Sequence, residues 1–347
     1  MLIKINGCAG SGKTFFAFLL FITEQEVLLI VSNVAFFKEF NKLTKQIESI
    51  NNNRFILIKD LLYGSELISI TLKKYKYIVI DESQNIDNYN LMNIANICHD
   101  NGIKLFLLSD YKQNVYAWKN LRNFYSSNKL LEKQNELENS LKNLYKVDEI
   151  KFDWDYSNRF NTKDLRKIEY LVFGDIGKLE SYQKNIEEKS ILNIYPCDES
   201  NLHDLRRKYS RRQIFIVSHF NWMDTFNKLV DDEYDFYNQY QHIGYEYDDL
   251  VIYLPNNFEY DENSKRLIYH FQNHENGFDT ILPDDSLNAW LYVAFTRATK
   301  SIRIFVDPTN KYKTQICEYF NKRLQNLEPN IENSNSFANN NETSLLK

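Results

Sequence analysis

Residues 7–14, Gly-Cys-Ala-Gly-Ser-Gly-Lys-Thr, combine the residue types that bind a chain of phosphates. Gly7, Gly10 and Gly12 let successive backbone N–H groups turn inward as a nest around Ser11, and a helix starting at Lys13 adds the partial positive charge of its N-terminus. At the spacing GxxxxGK[ST], Lys13 reaches the β- and γ-phosphates of a nucleoside triphosphate and the Thr14 hydroxyl holds Mg²⁺. The pattern carries this meaning only between a strand and a helix. LIKIN before it and FFAFLLF after it supply both.

A triphosphate site also needs an acid at the end of another strand. In YIVIDESQNI, Asp81 and Glu82 directly follow an apolar run. Asp81 is placed to hold Mg²⁺ through water, and Glu82 to polarise the attacking water as general base. Alone, two such acids are also a common way to cap a helix. Taken with the glycine-rich loop they read as a centre for ATP hydrolysis.

Further along, the chain resembles superfamily 1 helicases of the UvrD/Rep type. DESQ is similar to their DExQ box, and LLSDYKQNVYAWKN resembles their third motif. The resemblance makes Gln113 a sensor of the γ-phosphate and sets Tyr116 and Trp118 on the bases of a single strand, where stacking tolerates any sequence. Core packing is the other reading of those two rings. DYSNRFNTKDL, QHIGYEYDDLVIYLP and LNAWLYVAFTRATKSI resemble the family's later motifs. They place Arg159 and Arg297 as arginines on the transferring phosphoryl, and Gly244 and Glu246 at the nucleotide. Asn33, after VLLIVS, aligns with a strand-contacting position. The nearby Lys38, Lys42 and Lys45 are spaced as a solvated helix face.

The resemblance implies ATP and Mg²⁺ as ligands and single-stranded nucleic acid, DNA rather than RNA, as the stimulating partner. It also implies an arginine-bearing second lobe that closes on the nucleotide, a motor stroke. An ATP-gated switch that licenses a protein partner such as a nuclease, for example in phage defence, would use the same core with little unwinding. A small-molecule kinase or GTPase would share the phosphate loop but not account for Gln113 and Arg297. Three departures from the family pattern stand out. No glutamine segment that reads adenine fits before Leu2; Asn158 replaces the tyrosine that stacks on adenine, with Tyr156 and Phe160 as substitutes; and Ile243 replaces a lysine.

These residues need a scaffold, and its period is legible. LIKIN, VLLIVS, RFILI, YIVID and KLFLLS are short apolar strands separated by helical stretches near 14–23, 35–47, 64–73 and 91–98. Such alternation predicts a parallel, doubly wound sheet. ILNIY, QIFIVS, DLVIYLP and SIRIFV repeat the pattern. The fold class predicted is α/β, and the resemblance makes it two tandem RecA-like P-loop lobes, each a mainly parallel sheet flanked by helices, with almost nothing inserted. The boundaries expected are 1–146 for the ATP-binding lobe, ending in a long helix over 128–146, and 147–325 for the second lobe. An asparagine-rich, disordered tail is expected over 326–347.

Composition narrows the partners. Across 347 residues the formal net charge is -5, so contact with nucleic acid must be confined to a channel rather than a basic coat. The four cysteines form no CxxC pair, which fits a reducing compartment and offers no zinc site. FFAFLLFI has the length of a secretory core, but TEQE follows where small cleavage-site residues belong. No apolar run reaches the ~20 residues of a membrane span. The expectation is a cytoplasmic protein with no membrane partner.

Overall fold

Val27–Val31, VLLIV, is buried at all five positions, as a strand covered on both faces requires. This is β2 in the computed structural model, which describes residues 1–32, 37, 40–42, 44, 52–62, 65–113, 127–154, 156–174, 190–210, 213–217, 246–272, 279–281 and 284–327. By contact the chain divides into two compact units. One is Met1–Arg159 with Tyr237–Glu246 and Leu282–Val293, and the other is Phe160–Phe236 with Tyr247–Ile281 and Ala294–Lys347.

In the first unit β1 (Leu2–Gly7) leads into α1 (Lys13–Thr23), and β2 follows. Next come β3 (Phe55–Leu57), α2 (Ile58–Leu62), α3 (Ser65–Leu72), β4 (Tyr77–Asp81), α4 (Asn88–Asp100) and β5 (Lys104–Ser109). Helix α5 spans Ser127–Tyr145 and returns the chain as β6 (Glu149–Trp154). The sheet has six strands in the order β3-β2-β4-β5-β1-β6, and every neighbouring pair is parallel. This is the RecA-like arrangement. The strand order puts the C-terminal ends of β1, β4 and β5 side by side, and open parallel sheets bind ligands beyond such ends.

Alternate side chains of the strands serve two cores. Ile5, Val27, Leu29, Val79 and Leu108 pack with Ala17 and Phe21 of α1. Leu2, Leu28, Ile78, Leu105 and Leu107 pack with Ile94 and Ala95 of α4 and Leu141 of α5. Helix α4 starts where the Asp87 carboxylate accepts the Asn90 N–H at 2.9 Å, a cap for an otherwise unpaired donor. Lys4 breaks the apolar pattern of β1. It is 3% exposed and its ammonium pairs with Glu138 of α5 and with Glu149 of β6 at 2.7 Å. Burial alone would lower its pKa, but the two carboxylates outweigh that and raise it. The ion cluster holds the sixth strand, beyond residue 146, beside the first.

In the second unit α6 (Thr162–Phe173) is capped by the Asn161 side chain, which accepts the Asp164 N–H at 2.8 Å, and ends at Gly174 with φ 70°. The strands are β7 (Asn193–Ile194), β8 (Asp198–Glu199), β9 (Ile214–Ile216), β10 (Tyr247–Leu254) and β14 (Ala298–Val306). They run β7-β14-β10-β9, all parallel, with β8 also on β14. Helix α7 (Leu202–Lys208) precedes β9, and α9 (Lys313–Leu327) follows β14. Helix α8 (Asp284–Phe295) contributes residues to both units.

A second sheet in this unit lies outside the sequence expectation of a lobe with almost nothing inserted. β11 (Phe258–Asp261), β12 (Arg266–Gln272) and β13 (Asp279–Ile281) form an antiparallel sheet. Its first hairpin is built on Asp261, whose carboxylate accepts the Asn263 N–H at 3.0 Å and the Ser264 N–H at 3.3 Å, before Lys265 at φ 56°. No helix among the described residues is long and apolar enough to cross a membrane.

Candidate nucleotide site

The loop after β1 has the geometry its glycines permit. Gly10 and Gly12 sit at φ 76° and 96°, the left-handed region that a side chain disfavours. A Cβ on Gly7 would lie 2.3 Å from the Ser11 hydroxyl oxygen. Gly12 is the N-cap of α1 and provides no side-chain cap, which leaves that end of the helix to a ligand. Lys13 is buried beneath the arch, its ammonium donating to the carbonyls of Gly7 at 2.7 Å and Cys8 at 3.1 Å.

Opposite the loop, the Thr14 hydroxyl donates to Asp81 Oδ2 at 2.8 Å, across 67 residues of sequence. Two hard oxygen donors so placed suit Mg²⁺. Asp81 is 4% exposed, and burial, with the adjacent Glu82 charge, pushes its carboxyl up to about 7. Glu82 holds φ 55°, ψ 44°, a left-handed conformation uncommon for a residue of its kind. The backbone turns there immediately after β4, and such strain is typical of a side chain whose position is fixed by function.

A hydrogen-bonded chain joins Glu82 to Gln113, a link the motif reading did not contain. Gln84 donates through Nε2 to Glu82 and accepts the Asp110 N–H on Oε1 at 3.2 Å. Gln113 Nε2 donates to Asp110 Oδ2 at 2.8 Å. Asp110 is buried at the end of β5, and that burial, opposed by the Lys13 charge, pushes its carboxyl up to about 6. The glutamine of DESQ and the aspartate closing LLSD were visible as motif letters. Their mutual contact depends on β4 and β5 being neighbours.

Trp154 and residues 156–159 lie along the phosphate loop as a strap. The Cys8 N–H donates to Trp154 O at 3.2 Å, the Ser157 hydroxyl to Ala9 O at 2.7 Å, and the Asn158 N–H to Gly10 O at 2.8 Å. Packing is close: a Cβ on Gly10 would lie 2.5 Å from Arg159 Cβ and 2.6 Å from the Ser157 oxygen. Arg159 therefore lies in the same unit as the loop, not in the second lobe as the motif order suggested. Its guanidinium pairs with Glu246, 87 residues away. Tyr156 is 56% exposed with its ring 6.5 Å from that of Trp154, whereas Phe160 is 4% exposed.

Arg297 belongs to the second unit, at the turn between α8 and β14. It is 4% exposed, within an unbroken buried run from Ala289 to Ala298. Its carbonyl accepts the Tyr247 N–H at 2.8 Å. Asn33, Tyr116, Trp118 and Gly244, together with Lys38, Lys45 and Ile243, lie outside the described residues.

Residues 21–125 match the family model of the UvrD/REP helicase N-terminal domain. The matched stretch contains Asp81, Glu82, Gln84, Asp110 and Gln113 and begins just after the phosphate loop. Among solved structures, the chain is similar to Bacteroides Pif1 bound to single-stranded DNA, with a TM-score of 0.46, 11% identity and 90% of each chain covered. It is also similar to the arterivirus helicase, nonstructural protein 10, with a TM-score of 0.43 and 12% identity over 90% of this chain. This chain spans 61% of the length of that viral chain. Pif1 helicase from Candida albicans gives a TM-score of 0.35 at 12% identity, covering 94% of this chain and 96% of its own. No curated protein matches the sequence.

Proposed function

We propose that this chain is a superfamily 1 helicase core, an Mg²⁺-dependent ATPase stimulated by single-stranded nucleic acid, DNA rather than RNA, and that it translocates along the strand. The observation that carries the reading is the continuous set Thr14–Asp81 and Glu82–Gln84–Asp110–Gln113 at the carboxyl ends of adjacent parallel strands, beside the glycine loop. Lys13 and the loop amides would hold the β- and γ-phosphates, and Thr14 and Asp81 the metal. Bound Mg²⁺ would neutralise phosphate charge. Glu82 is the base for the attacking water, and Gln113 links that position to the strand-binding side through Asp110. Arg297 would supply positive charge to the transferring phosphoryl group.

The strap also offers a place for the base. Of the two aromatic substitutes for the missing tyrosine, Phe160 is buried, while Tyr156 offers an exposed ring beside the loop. We assign Tyr156 as the platform for the base.

The test is ATP turnover across single- and double-stranded DNA and RNA, with GTP as a competitor. Stimulation by single strands, strongest with DNA, supports the reading. No increase with any nucleic acid would remove it, and GTP selectivity would point to a switch of another class. A stable protein partner together with nucleotide-dependent closure and no strand displacement would favour the ATP-gated switch.

A further inference from the structure

Cys197 and Cys317 are 120 residues apart in sequence, yet the Cys197 thiol donates to the Cys317 sulfur at 3.2 Å. Cys197 lies between β7 and β8, and Cys317 on the first turns of α9. A separate clamp fixes them. Asn321, one helical turn beyond Cys317, accepts the Cys197 N–H on Oδ1 at 2.7 Å and donates through Nδ2 to the Cys197 carbonyl at 3.2 Å. At the other end of the same face, Lys313 pairs with Glu199 at 2.8 Å. Asn321 thus grips the Cys197 backbone on both sides of its Cα, from the helix that carries Cys317. We propose that Cys197 and Cys317 are an oxidation site: a hydroperoxide converts them to a reversible disulfide that ties α9 to the edge of the second unit's parallel sheet.

The division of labour follows from exposure. Cys197 is 5% exposed, whereas Cys317 is half-buried and open to a small oxidant. The hydrogen bond from Cys197 holds the Cys317 thiol below its ordinary range, aided by Lys313 against the opposing Glu199 and Asp198 charges, and the same bond with burial pushes Cys197 up. The Cys317 thiolate attacks the hydroperoxide, breaking its O–O bond to give a sulfenic acid and releasing an alkoxide that takes a proton as alcohol. The Cys197 sulfur then attacks the sulfenyl sulfur. The S–S bond forms, hydroxide leaves with the thiol proton as water, and the two electrons from the thiols have reduced the peroxide. Closing from 3.2 Å to the ~2.05 Å of a disulfide needs a shift of about 1 Å. Cys98 is fully buried, with its thiol pushed up to about 12, and does not compete.

The consequence reaches the sheet, because β8 pairs with β14, the strand that begins directly after Arg297. To test it, the reduced full chain is treated with hydrogen peroxide, quenched with N-ethylmaleimide, denatured, alkylated and digested for mass spectrometry. The expected result is a 197–317 cross-linked peptide that thiol reductant removes, with Cys98 still alkylated after denaturation. The oxidised chain should melt several degrees higher, since the bridge constrains a long loop of the unfolded state. In Cys197→Ser the melting shift disappears and dimedone traps a Cys317 sulfenic acid. Two unreacted thiols in the wild-type chain, or Cys317 carried to a sulfinic acid without the cross-link, would overturn the proposal. The wild-type mapping decides even if a variant fails to fold.

Discussion

Glu82 occupies an unfavourable backbone region, so its charge and its conformation can be separated by mutation. Glu82→Gln keeps the left-handed turn and an acceptor for the Gln84 amide while removing the base. Turnover is expected to fall by roughly 10²- to 10⁴-fold with nucleotide binding and melting temperature retained. A change in melting without loss of turnover would make the residue a turn former only. Lys13→Ala should abolish hydrolysis in a folded protein, since it removes the positive charge held within the loop. The buried acids add a pH dependence. Asp81 at about 7 and Asp110 at about 6 both lie above the ordinary 3.8. A carboxyl raised on folding contributes stability that is complete below about pH 4 and lost as pH rises through its folded value. For Asp110 a rise of that size corresponds to about 3 kcal/mol. Metal-free wild type should therefore lose stability between pH 4 and 7 relative to Asp110→Asn, as thermal melts across that range would show. Parallel pH profiles for the two proteins would contradict the assignment.

At the scale of elements, the phosphate loop is held from outside by the strap as well as from within by its glycines. Ser157→Ala removes the bond to Ala9 O at 2.7 Å and the acceptor for the Arg159 N–H at 3.2 Å. The expected cost is about 1 kcal/mol of stability and a several-fold rise in the KM for ATP at nearly constant kcat, read by steady-state kinetics. A fall in kcat alone would mean that the strap does not position the loop. The Lys4 cluster belongs to the same scale. It lets a polar residue sit in a buried strand because α5 and β6 each bring a carboxylate to it.

For the whole molecule, the proposed function puts its demand on Arg297 of the second unit. Arg297→Ala is expected to lower turnover by roughly 10³-fold while sparing nucleotide binding, as measured by turnover and by fluorescent-nucleotide titration. Because the arginine is buried, melting is measured alongside. Loss of stability with unchanged turnover would reduce it to a packing residue.

The amino-acid sequence determined what depends on near neighbours. LIKIN, VLLIVS, RFILI, YIVID and KLFLLS appear as β1 to β5, because buried strands announce themselves by unbroken apolar runs. The GxxxxGK[ST] turn and the acids after YIVI were legible for the same reason. Tertiary structure decided what depends on which strands adjoin. It set β6 beside β1, laid the strap on the loop, joined Glu82 to Gln113 through Gln84 and Asp110, paired Arg159 with Glu246, and raised an antiparallel sheet from β11 to β13. Four scattered cysteines gave no sign that two would meet. Periodicity and motif spacing act over a few residues of chain, whereas contacts across 87 or 120 residues are set by strand order and by where each crossover returns.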